Sequence, residues 1–96
     1  LVKDGVAMFP DAKTERGRRH VADLAKAKKE SYRACVMFIV QRTDAHVFAP
    51  DDETDPEFGK ALRNAAMKGV EVCAYKIEVS PDFSLLSLSS KLDVSL

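Results

Sequence analysis

Several things are missing from these 96 residues, and each absence narrows what the chain can be. Net charge is missing: 15 Lys and Arg balance 15 Asp and Glu, so nothing global announces nucleic acid. No apolar run approaches the roughly 18 residues of a membrane-spanning helix, and no signal-peptide pattern opens the sequence. No membrane partner is expected. Cysteine is scarce: Cys35 and Cys73 match neither a disulfide framework nor a zinc pattern. Each sits in an apolar, strand-like run, which predicts buried free thiols and a reducing, cytoplasmic setting. There is no Gly-rich phosphate loop. The only histidines are His20 and His46, and no elbow motif singles out a serine nucleophile. Repeats and linkers are absent too. One domain at most is expected, with a modest core, because a chain this short buries roughly 60–65% of its unfolded surface.

What is present reads as α/β. LVKDGVAMF, residues 1–9, is strand-like, with Asp4-Gly5 as a hairpin turn signal. A strand beginning at residue 1, without a Met, is expected to have a partner upstream, so the chain reads as a fragment. Thr14 can cap a helix to about Lys29, with Gly17, Val21, Leu24 and Ala25 as its apolar stripe. Gly17 costs about 1 kcal/mol there relative to Ala, which predicts close backbone packing. ACVMFIV, residues 34–40, is unbroken and apolar, the pattern of a central strand covered on both faces. Residues 41–54 read as a polar loop with a short HVF segment. Asp55-Pro56-Glu57 then starts a second helix, with Phe58, Ala61, Leu62 and Ala65 on one face and Gly69 as its stop. VEVCAYKIEV, residues 70–79, is a strand, and strand–helix–strand order predicts a right-handed crossover between parallel neighbours. Pro81-Asp82 is expected to turn the chain, and the Ser/Leu-rich tail to add short edge strands.

The neutral total conceals a segregation. Residues 13–33 carry eight Lys or Arg against three acids, whereas residues 44–57 carry six acids and no Lys or Arg. The first segment is either a solvated helix face or a phosphate-tracking patch, where each contact releases condensed counterions. The acidic segment lacks calcium-loop spacing and reads as a solvated loop leading to a helix cap. FPDAK juxtaposes the Pro-Asp and Asp-x-Lys halves of the PD-(D/E)xK nuclease motif on one run. A single Asp11 cannot supply both metal-binding carboxylates, so the run alone makes no catalytic site. Arg16 and His20 lie four apart on one helix flank. They are either border residues or a phosphate-clamping pair facing the carboxyl end of the sheet. Gln41, Arg42 and Asp44 follow the apolar strand, where open α/β sheets place ligands; Arg42 and Asp44 read equally as a local ion pair.

Four separated motifs occur in order: FPDA-x-TERG-x-x-H, FIVQR-x-D, DP-x-F and GVEV-x-AY. Together they resemble the sugar fermentation stimulation protein A (SfsA) family over nearly the whole chain. The resemblance implies a bacterial or archaeal cytoplasmic DNA-binding protein, with an N-terminal OB-like domain followed by a restriction-endonuclease-like, PD-(D/E)xK-type domain. Residues 1–96 then correspond to the C-terminal part of the nuclease-like domain, a mixed sheet with a parallel strand–helix–strand unit. The family's Glu-x-Lys element falls upstream of Leu1. Motif positions carried over are Phe9, Pro10, Asp11, Glu15, Arg16, Gly17, His20, Gln41, Arg42 and Asp44; Lys13 and the Ser-rich tail depart from the pattern. The implied supporting site is Asp11, Arg16, His20, Gln41, Arg42 and Asp44, with Arg16, Arg18 and Arg19 touching DNA phosphates. Mg2+ or Mn2+ is the cofactor implied for an intact nuclease, and this chain alone is expected to be inactive.

Overall fold

A computed structural model describes residues 1–42, 44–79 and 86–96. The chain opens with a hairpin, β1 (Val2–Lys3) and β2 (Val6–Phe9), paired antiparallel. Asp4 (φ 53°) and Gly5 (φ 80°) are both left-handed, which is what a two-residue turn matched to strand twist requires. Helix α1 (Glu15–Lys29) starts where expected: the Thr14 side chain accepts a hydrogen bond from the Gly17 N–H. Helix α2 (Pro56–Met67) has Asp55 as its cap and Pro56 in its first turn, and the chain leaves it through Gly69 at φ 97°. Val21 and Ala25 of α1, and Phe58, Leu62 and Ala65 of α2, are buried.

The remaining strands are β3 (Cys35–Val40), β4 (Val47–Pro50), β5 (Glu71–Val79) and β6 (Leu86–Val94). The sheet runs β1-β2-β4-β6-β5-β3 and is mixed: β2/β4, β4/β6 and β3/β5 are parallel, while β1/β2 and β5/β6 are antiparallel. The expected parallel pairing across α2 is therefore present, as β3 beside β5. The sheet also curls. Phe38 of β3 stacks on Phe48 of β4 at 4.2 Å between ring centres, although two strands separate them in the sheet order. Phe9 and Phe58 close the cluster, their rings 5.2 Å apart. Aromatic edges and faces thus fill a core that is otherwise largely Ala, Val and Leu.

Four expectations need correcting. Among the described strands β3 is an edge strand, not a central one: Met37 and Ile39 are 55% and 52% exposed, while Val36, Phe38 and Val40 pack inward. Its outward side chains are apolar, so alternation in burial leaves no trace in hydropathy. Residues 41–54 are not only loop, because β4 lies inside them and Phe48 is 2% exposed. The tail supplies β6, which bridges β4 and β5 in the sheet interior rather than forming edge strands. Finally, Cys35 is exposed and Cys73 half-buried, so the thiols are free but not both buried. The expected turn at Pro81-Asp82 lies outside the described residues.

Candidate functional site at the strand ends

A cleft of about 220 Å³ opens where β2 and β3 end. Asp11, just beyond β2, and Gln41 and Arg42, just beyond β3, stand on its rim; Ala7, Phe9, Phe38 and Phe48 make its apolar wall. Positions after strand carboxyl ends are where α/β sheets expose polar groups without breaking the ladder. The Phe9–Pro10 peptide is cis, and Pro10 is buried. Asp11 is exposed. Arg42 grips Asp44 with two donors, Nε to Oδ1 at 3.0 Å and Nη2 to Oδ2 at 2.7 Å. That guanidinium holds the Asp44 carboxyl below its usual range.

Of the six expected site residues, the cleft gathers three: Asp11, Gln41 and Arg42. Asp44 is occupied with Arg42, and Arg16 and His20 are exposed on α1, outside the residues that line the cleft. Asp11 is the one carboxylate in that lining, so the residues described supply too few oxygen donors for a six-coordinate divalent ion. No group of three His, Cys, Asp or Glu among the described residues is placed to hold a metal.

The acidic segment leads to a helix cap as expected, and most of its acids are exposed, but Asp51 and Asp55 are buried. Asp55, 3% exposed, accepts from the Phe58 N–H at 3.0 Å and from the Thr14 N–H at 2.8 Å. One carboxylate therefore ties together the starts of α1 and α2. These backbone donors, with Arg18 nearby, keep it ionised below the ordinary aspartate range. Asp51 is also buried and accepts from the Thr54 N–H at 3.2 Å. Beside this junction a groove of about 500 Å³ runs between the helices, lined by Glu15, Arg18, Arg19, Ala22, Glu57, Lys60 and Ala61. Arg19 pairs with Glu15 and Lys60 with Glu57. Arg18 Nε is buried with no hydrogen-bond partner among the described residues. Neither Lys60, in a groove between two helices, nor Arg63, which clamps Asp52 at 2.6 Å from 11 residues away across the loop into α2, is legible in the sequence. No sequence spacing encodes either.

Curled mixed sheet, two helices and a cleft at the strand ends define a mixed α/β domain. A family model described as "Sugar fermentation stimulation protein RE domain" matches residues 1–83. The chain belongs to the SfsA family of sugar fermentation stimulation proteins. It is 50% identical over 96 residues to a sugar fermentation stimulation protein homolog of Caldanaerobacter subterraneus subsp. tengcongensis, covering 100% of this chain and 41% of that protein. It is 54% identical over 86 residues to the homolog of Thermoanaerobacter sp. (strain X514), covering 90% of this chain and 37% of that one. A solved structure of Pyrococcus furiosus SfsA in complex with Ca2+ matches with a TM-score of 0.90 at 28% identity, over 100% of this chain and 41% of that chain. The chain thus spans about two fifths of the length of the curated relatives it matches. No helix among the described residues is long and apolar enough to cross a membrane.

Proposed function

We propose that this chain is part of a cytoplasmic DNA-binding protein that grips DNA mainly through backbone phosphates. One observation carries the reading: although Arg19 pairs with Glu15 and Arg33 with Glu71, half of the basic segment's cations are exposed and outside the described ion pairs. Lys13, Arg16, Lys26 and Lys29 are exposed, and none has an ion-pair partner among the described residues. Exposed cations on and just before one helix, outside those ion pairs, are free to displace condensed counterions, and that release supplies the affinity. Arg18 and Arg19 line the adjoining groove, and Arg16 extends the surface toward the start of α1. Fluorescence anisotropy with a short labelled duplex tests it. Affinity is expected to fall steeply between about 50 and 200 mM salt, and Arg16→Ala to lower the log–log salt slope by about 0.9. Binding that is flat across that range removes phosphate contact as the basis.

A second reading is favoured by the cleft. The gathering of Asp11, Gln41 and Arg42 at the strand ends, and the "RE domain" description, support a restriction-endonuclease-like architecture. The Ca2+ bound to the P. furiosus relative supports a divalent-metal role, with Mg2+ or Mn2+ as the working ion in a family-length nuclease. Asp11 offers one ligand and Gln41 an amide oxygen; the remaining donors have to come from a family-length protein. The test is supercoiled plasmid with Mg2+ or Mn2+. Nicking is expected from the family-length protein, is expected to be lost on Asp11→Asn, and is not expected from the 96-residue chain. No cleavage by the family-length protein in either metal leaves binding without turnover.

A further inference from the structure

The register of β3 on β5 pairs Cys35 with Glu71 and Met37 with Cys73. Cys35 and Cys73 are therefore diagonal neighbours on one face of adjacent strands, and their sulfurs lie 3.5 Å apart. Cys35 is exposed at the start of the edge strand, while Cys73 is half-buried behind it. An exposed thiol with a second thiol in contact is the arrangement of an attacking and a resolving pair. Bringing the sulfurs to bonding distance needs a closure on the order of 1.5 Å. Among the described strands β3 is paired on one side only, through β5; Val36, Phe38 and Val40 anchor it inward, so the closure falls to side-chain rotation and the Cys35 end of the strand.

We propose that Cys35 and Cys73 form a dithiol site that reacts with low-molecular-weight disulfides and closes into an intramolecular disulfide between β3 and β5. In the first step the Cys35 thiolate attacks one sulfur of the small disulfide. A mixed disulfide forms, and one small thiolate leaves and takes up the proton that Cys35 released. In the second step the Cys73 thiolate attacks the Cys35 sulfur, the intramolecular bond forms, and the second small thiolate leaves and is protonated. Two electrons pass from the protein dithiol to the small disulfide, and two small thiols are produced. Exchange of this kind depends on thiolate supply. The hydrogen bond to Cys73, followed by burial and the charge of Glu71, raises the Cys35 thiol above its ordinary value, against the opposing pull of Arg33. The pair is thus a slow responder at neutral pH and a faster one in mild alkali. Closure ties down the base of the strand whose far end supplies Gln41 and Arg42 to the cleft.

The test uses the reduced 96-residue chain with oxidised glutathione at about pH 8, close to the ordinary thiol value. Mass spectrometry under native conditions is expected to show a monomer lighter by two hydrogen atoms, with both thiols lost to alkylation and restored by dithiothreitol. Cys73→Ser is expected to stop at the first step, with one glutathionyl group retained on Cys35. Two results overturn the proposal. One is a wild-type chain that keeps its glutathionyl group or links to a second copy. The other is a folded chain whose thiols both stay free while the urea-unfolded chain is oxidised by the same reagent.

Discussion

Thr14 and Gly17 compete for one small volume at the start of α1. A methyl group placed on Gly17 meets Thr14 Cγ2 and Oγ1 at 2.9 Å, and Phe58 Cε1 at 3.4 Å. The second distance is ordinary contact; the first requires the capping side chain to move. Alanine at position 17 gains about 1 kcal/mol of helix propensity. It gives up much of a cap that is also worth about 1 kcal/mol. Gly17→Ala is therefore expected to be near neutral in the native sequence. In a Thr14→Ala background the obstructing atoms are gone, and the same change is expected to stabilise by about 1 kcal/mol. Urea denaturation of the four chains measures the coupling. Equal effects in both backgrounds rule out competition between the cap and the methyl group. The helix stripe predicts close backbone packing at Gly17; the tight neighbour is instead the side chain of its own cap.

At the scale of elements, the test concerns which face of β3 is covered. Met37 points outward and Phe38 inward, onto Phe48 and Phe9. Met37→Lys is expected to change the unfolding free energy by less than about 0.5 kcal/mol. Phe38→Ala is expected to cost about 3 kcal/mol, since it empties the centre of the aromatic cluster. Comparable losses at the two positions would show a strand covered on both sides, as its unbroken apolar run suggests. The contrast explains what the sequence does and does not encode. Turn and cap chemistry is local: Asp4-Gly5, Thr14 and Asp55-Pro56 each place an element boundary through φ preferences or a side chain three residues from its partner. Strand order is not local. Nothing within ACVMFIV records that its neighbour among the described strands is β5, on one side, and nothing in the Ser/Leu-rich tail fixes its register between β4 and β5. The cleft follows the same division. Asp11, Gln41 and Arg42 are legible as residues that follow strands, whereas the distance from α1 to the cleft depends on the curl of the whole sheet.

Across the whole molecule, opposite charges are segregated along the chain and rejoined at one buried carboxylate. Asp55 accepts from the Thr14 N–H at the head of the basic helix and from the Phe58 N–H of its own helix. An ionised group held by such donors loses protons more readily folded than unfolded, so its folded pKa lies below its unfolded one. The consequence for stability has a definite sign. The contribution of Asp55 is complete above the unfolded value of about 3.9, and disappears as the pH falls through the lower folded value. Asp44 and Asp52 are lowered by Arg42 and Arg63 and act in the same direction, but these pairs are well exposed and screened, so they contribute less. Asparagine separates the charge of Asp55 from its shape: its one carbonyl can still cap Phe58, but its amide cannot accept from Thr14. Wild type is therefore expected to exceed Asp55→Asn in stability by a constant margin from about pH 7 down to about pH 5. The margin then narrows below about pH 4 and is lost as the pH falls through the lowered folded value of Asp55. Thermal denaturation of both chains across that range, monitored by far-ultraviolet circular dichroism, measures it. A margin that stays constant into strong acid means that the helix junction rests on packing alone, with the Asp55 charge as a bystander.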